Sequence, residues 1–224
     1  MSTTPPGSPI LFLSGAGLPA WIWDEVRAGL SVESVVASYP ESSDASLREY
    51  AEAALEQAPG TAFTLVAHSI GGVVASEIAA IAPDRVEGLF GIAASIPAAG
   101  TSFLGALPFP QRHIVSLAMR VAGTRPPEQA IRSLASGLGE AETARVVSDF
   151  DPESQRLYRD RVSPRRFPTR TGYVVATADR EFPAALQRKY AAELGAEFQR
   201  ELPTGHLPMV QDPTALTQML KEFA

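Results

Sequence analysis

The stretch TLVAHSIGGV, residues 64–73, constrains the fold more than any other part of the chain. A run of apolar and β-favouring residues from Thr64 to Ala67 reads as a buried strand, and Val73–Ala80, rich in small side chains, reads as a helix. Between them lie a histidine, a serine and two glycines, so the chain has to turn sharply at Ser69. Packing explains the strand and the helix but not a serine at so tight a turn. A strand that runs straight into a helix belongs to a layered α/β architecture.

The rest of the chain keeps that rhythm. Residues 9–17 form an apolar run that stops near Ser14 in glycines, followed by helical spacing of Trp23, Val26 and Leu30. A second strand is expected around Val35–Tyr39, closed by Pro40. Ser46 and Glu49 make a capping-box pattern ahead of a helix. The apolar run 86–95 is a fourth strand with the continuity of one covered on both faces. From about Pro97 to Pro168 no strand is apparent, and prolines separate short helical patterns such as Ile114, Leu117, Ala118, Val121 and then Ile131, Leu134, Leu138. Alternation resumes at residue 172 and runs to the end. The expectation is a mostly parallel α/β sheet of about six strands with helices on both faces. Residues 1–96 and 169–224 form its core, and residues 97–168 a helical cap inserted after the fourth strand.

Composition excludes more than it assigns. The 224 residues carry no cysteine, which removes disulfides, thiolate metal sites and cysteine nucleophiles. A net charge of −6 gives no footprint for nucleic acid or for an anionic membrane. The first residues lack a basic segment followed by an apolar one, and no run approaches the roughly 18 apolar residues of a membrane helix. A soluble, cytoplasmic protein is expected, monomeric or homodimeric, with a small-molecule substrate. The five arginines Arg159, Arg161, Arg165, Arg166 and Arg170 read as a solvated face with ion pairs.

In a parallel sheet, ligands bind beyond the carboxyl ends of the strands. Three reactive residues follow strands there: Ser69, Asp179 and His206. Residues 67–71 fit a nucleophile elbow, which needs small residues two before and two after the serine, here Ala67 and Gly71. A serine hydroxyl is a weak nucleophile until a base takes its proton. Of the chain's 3 histidines, His68 adjoins the serine and should pack beside the turn, and His113 lies in the cap, which leaves His206 as the base. A carboxylate must orient that imidazole. Asp179 is the candidate, with Glu181 and Asp212 as competitors; Asp212 precedes Pro213 and suits the start of the last helix. Oxyanion amides are expected from Ile70 and from the loop after the first strand, at Ala16. The segment GAGLPA, residues 15–20, also matches a dinucleotide fingerprint. Pro19, Trp21 and Trp23 stand where that fingerprint wants small residues and a helix start.

These segments resemble the α/β-hydrolase superfamily, in particular its branch of plant methyl-ester hydrolases and hydroxynitrile lyases. The resemblance spans nearly the whole chain: residues 13–26 with Trp-x-Trp, the VAHSIGG elbow, the acid segment 173–195 and the histidine segment 205–213. It implies the triad Ser69, Asp179 and His206, oxyanion amides from Ala16 and Ile70, and no metal or organic cofactor. It departs at Ser14, where the branch has histidine, and at Gly15 and Leu207, where its lyases have threonine and lysine. Cyanohydrin chemistry is therefore not expected. Ser14, Gly15, Phe103, Leu107 and Leu207 are the residues expected to contact substrate. Phe103, Leu104, Leu107, Phe109, Leu117 and Met119 are the cap's apolar stock, most of it expected to pack on the sheet. The activity implied is hydrolysis of a small, largely apolar carboxylic ester, thioester or lactone through an acyl-enzyme on Ser69. Intramolecular acyl transfer, cyclisation or C–C chemistry on the same fold remains an alternative, and so does a non-catalytic small-molecule binder.

Overall fold

Strand residues that alternate between two faces build the sheet. In β1 (Ile10–Leu13), Leu11 and Leu13 enter the apolar cluster on one side, while Ile10 and Phe12 enter that on the other, as the two-residue period of a strand requires. The structure, a computed structural model, describes residues 7–223. After β1 come a 3₁₀ turn (Ala20–Trp23), α1 (Asp24–Ala28), β2 (Ser34–Val36), α2 (Leu47–Glu56), β3 (Phe63–His68), α3 (Gly71–Ile81) and β4 (Val86–Ile92). Then follow α4 (Phe103–Ala106), α5 (Gln111–Ala122), α6 (Glu128–Leu134), α7 (Glu140–Ser148) and α8 (Gln155–Arg159). The chain returns to the sheet with β5 (Arg170–Ala176), α9 (Ala184–Leu194), β6 (Phe198–Leu202), α10 (Pro208–Gln211) and α11 (Pro213–Phe223).

The six strands lie in the order β2-β1-β3-β4-β5-β6, every neighbouring pair parallel. Helices α2, α3 and α9 supply Tyr50, Val73, Ile78 and Leu194 to one face. Helices α1 and α11 supply Val26, Leu216 and Leu220 to the other. Burial on both faces explains why β3 and β4 are apolar without alternation. The Ser46 capping box forms: its hydroxyl accepts from the Glu49 amide at 3.2 Å, and the Glu49 carboxylate accepts from the Ser46 amide at 2.8 Å.

Between β4 and β5 the described residues contain helices and no strand. Several local expectations need correction there. The helical period of Ile114, Leu117 and Val121 is real, but this stripe faces outward, with Ile114 64% and Val121 82% exposed. Of the six apolar residues singled out in the cap, Leu104, Leu107 and Met119 are the ones that bury. Arg159, Arg165 and Arg170 are half-buried rather than solvated, donating to the Ser116 and Pro97 carbonyls and the Thr64 hydroxyl. Elsewhere β2 ends at Val36, because Tyr39 leaves the sheet to donate its hydroxyl to the Ser14 carbonyl at 3.0 Å. Among the described residues no helix is long and apolar enough to cross a membrane.

Candidate active site

Ser69 follows β3 at φ +53°, in the left-handed region that a side chain rarely enters. Such a residue persists only where its surroundings over-determine it. Here its carbonyl accepts from the Gly72 and Ser95 amides at 3.1 and 2.8 Å. Gly71 explains the small residue beyond the serine. A Cβ there would meet the Leu13 carbonyl oxygen at 2.4 Å, because the start of α3 crosses the end of β1 in backbone contact. A second left-handed non-glycine, Ala93 at φ +44°, follows β4 beside it; nothing in the sequence pointed to that one.

The turn aims the Ser69 hydroxyl at His206. The two come from segments 137 residues apart, yet Ser69 Oγ lies 3.1 Å from His206 Nε2. His206 Nδ1 lies 2.7 Å from Asp179 Oδ2, and both side chains are buried. A carboxylate only accepts, so Nδ1 carries the proton and Nε2 is left with its lone pair toward the serine hydroxyl. Asp179 follows β5 and is tied down independently: its Oδ1 accepts from the Glu181 and Phe182 amides, both at 2.9 Å.

Two buried side chains position this series, and the sequence reading gave neither that role. Gln187, on α9, accepts from the Ala176 amide at 2.8 Å and donates to the Ala176 carbonyl, the Phe182 carbonyl and Asp179 Oδ2. It thereby clasps the loop that carries the acid. His68 is fully buried, edge-on to Trp23, with its ring 4.8 Å from that of His206. Its Nε2 donates to the His206 carbonyl at 2.7 Å, while its Nδ1 has no partner among the described residues. Burial, and then the neighbouring His206, hold the His68 imidazole well below its usual range. A neutral His68 therefore braces the backbone of His206.

The loop after β1 is braced as firmly. Trp23 Nε1 donates to Ser14 Oγ at 3.0 Å. Glu153, from the cap, accepts from the Gly17 amide at 3.2 Å and from the Tyr50 hydroxyl at 2.8 Å. Burial pushes the Glu153 carboxyl above its ordinary range, against the pull of those two bonds. Gly17 adopts φ +69°, and the Phe150 ring occupies the place its Cβ would take. Ala16 and Ile70 both line the cavity over Ser69, and among the described residues neither amide is engaged in a hydrogen bond within the protein. The 15–20 segment opens no long helix, only the 3₁₀ turn and the five-residue α1. The dinucleotide reading thus lacks the helix start it needs.

The cavity over Ser69 encloses about 240 Å³. Phe103 and Leu107 line it together with Leu18, Val115, Phe182 and Glu181. Ser14, Gly15 and Leu207 do not, contrary to expectation. Ser14 turns to Trp23, Gly15 is wedged against His68, Leu18 and Ser69, and Leu207 is buried in the apolar cluster with Met209. Of the competing acids, Glu181 accepts from Ser133 of α6, and Asp212 accepts from the Ala215 amide at the start of α11. His113 is exposed on α5. Among the described residues no cluster of three or more histidines and carboxylates could hold a metal ion.

The profile of the alpha/beta hydrolase family matches residues 10–218. The chain belongs to that family. Among curated relatives, the rice (Oryza sativa subsp. indica) protein named "Probable esterase PIR7A" is 32% identical over 109 residues, 42% of this chain and 41% of its own length. The chain thus spans about two fifths of the length of the curated relatives it matches. Among solved structures, an extracellular alpha/beta hydrolase from a Paenibacillus species superposes with a TM-score of 0.82 at 16% identity, covering 97% of this chain and 99% of that one. A methylesterase from Arabidopsis, MES16, superposes at 0.75 with 18% identity, covering 96% and 98%. Polyneuridine aldehyde esterase reaches 0.74 at 17% identity, covering 97% and 99%. At these identities the superpositions establish the alpha/beta hydrolase fold.

Proposed function

We propose that this alpha/beta hydrolase is a serine esterase that cleaves a small, largely apolar carboxylic ester, thioester or lactone through an acyl-enzyme on Ser69. The observation that carries the reading is the unbroken series Ser69 Oγ, His206 Nε2, His206 Nδ1, Asp179 Oδ2, with links of 3.1 and 2.7 Å. The esterase names of the rice relative and of the plant structures point the same way. In this mechanism Ser69 Oγ attacks the carbonyl carbon while His206 Nε2 takes its proton. Asp179 stabilises the imidazolium without itself becoming protonated. The Ala16 and Ile70 amides receive the oxyanion, Ile70 at the head of α3 where the helix dipole favours negative charge. His206 then protonates the leaving group, water attacks the acyl-enzyme with His206 again as base, and the acid departs.

The test is a panel of p-nitrophenyl esters of rising chain length, with a few lactones, against the parent and Ser69→Ala. Turnover of at least one short ester is expected, with a loss of about 10⁴-fold or more in the variant and an unchanged melting temperature. A Ser69→Ala protein as active as the parent would remove the nucleophile assignment.

A further inference from the structure

Two largely apolar spaces lie back to back between the cap helices and the core. The cavity over Ser69, about 240 Å³, is smaller than the roughly 300–1,000 Å³ common for small-molecule sites. Behind it is a groove of about 740 Å³ whose walls include Ile96, Pro97, Ala106, Leu186 and Tyr190. Leu107 and Gln111 belong to both walls. The partition is therefore the short link between α4 and α5, with Leu107 at the end of one helix and Gln111 at the head of the other. Leu107 is 5% exposed and its side chain is held by packing alone. The Gln111 side chain makes no hydrogen bond to another described residue, so nothing but contact closes the wall.

We propose that Leu107, with Gln111 beside it, sets the length of the apolar chain that the Ser69 cavity accepts, by shutting off the groove behind. This rests on the reading of Ser69 as nucleophile and narrows the substrate to esters whose cavity-bound group is short. A single methylene in an apolar pocket already discriminates about 10- to 200-fold, and Leu107→Ala removes three carbons from a side chain that lines both spaces. The groove then becomes the continuation of the cavity, and longer chains gain an apolar seat.

The experiment measures kcat/KM for p-nitrophenyl acetate, butyrate, octanoate and dodecanoate with the parent, Leu107→Ala, Leu107→Val and Gln111→Ala. Fluorophosphonate titration counts competent sites in each, so that loss of folded protein is scored separately. The parent should peak at a short chain and fall at least tenfold by octanoate. Leu107→Ala should raise the octanoate-to-butyrate ratio by about tenfold or more, with Leu107→Val and Gln111→Ala moving it the same way by less. A parent that prefers the long esters overturns the proposal. So does an unchanged ratio in Leu107→Ala, or in both milder variants should Leu107→Ala not fold. A parent that hydrolyses none of the four and takes no label at Ser69 overturns the reading of the site itself, a separate failure.

Discussion

At Ser69 and its neighbour His68, single side chains carry opposite demands. Ser69 must be exposed to substrate in a strained conformation, and a β-branched residue in its place would add to that strain. His68 must stay hidden and neutral. An imidazole held below its usual range binds its proton less readily in the fold than in the unfolded chain. The stability linked to it is intact above the unfolded value of about 6.5 and falls as the pH drops below it, by up to about 1.4 kcal/mol per pH unit. His68→Gln keeps a donor for the His206 carbonyl and cannot titrate. In urea unfolding, the stability lost between about pH 7.5 and about pH 5.5 should be smaller in this variant by about 1 kcal/mol. An equal loss in both proteins would mean that His68 is not the group responsible. The sequence placed His68 beside the turn but gave no sign of its partner, since the His206 carbonyl lies 138 residues away.

Elements meet at the site through backbone contact, and that is where the glycines count. Alanine at Gly71 would drive a Cβ into the Leu13 and Ser14 carbonyls, so the head of α3 or the end of β1 would have to move. We expect Gly71→Ala to destabilise by about 2–4 kcal/mol and to disturb the Ala16 loop, read by thermal unfolding and by the rate of fluorophosphonate labelling. A variant with the parent's melting temperature and labelling rate would contradict this close crossing. The clasp of α9 on the acid loop gives a second test. Gln187→Leu strands the Ala176 amide and frees the loop bearing Asp179, so turnover should fall about 10- to 100-fold more than the drop in folded protein explains. Equal losses in both would reduce Gln187 to packing. The elbow was legible in the sequence because its small residues are dictated by that crossing. The clasp was not, since a glutamine inside a helical pattern looks like any polar helix residue until its partners are known.

Over the whole molecule, the parallel sheet could be read from the chain because strands covered on both faces leave nearly unbroken apolar runs between helices. The helical stretch between β4 and β5 could be located, but not oriented. Helical spacing marks a stripe without saying which way it faces, and Ile114, Leu117 and Val121 face solvent. The pocket was the least legible part: Phe103 and Leu107 line it, whereas Ser14 and Leu207 are claimed by Trp23 and by the apolar cluster. What the fold accomplishes is convergence, since β3, β5 and β6 each end beside one member of the Ser69–His206–Asp179 series. The most direct test of that convergence is covalent labelling with a fluorophosphonate, followed by mass mapping of the modified residue in the parent and in His206→Gln. The parent should carry one adduct, on Ser69, and the variant should label about 10³-fold more slowly or not at all. An adduct elsewhere, or equal labelling of Ser69 without the histidine, would contradict the account.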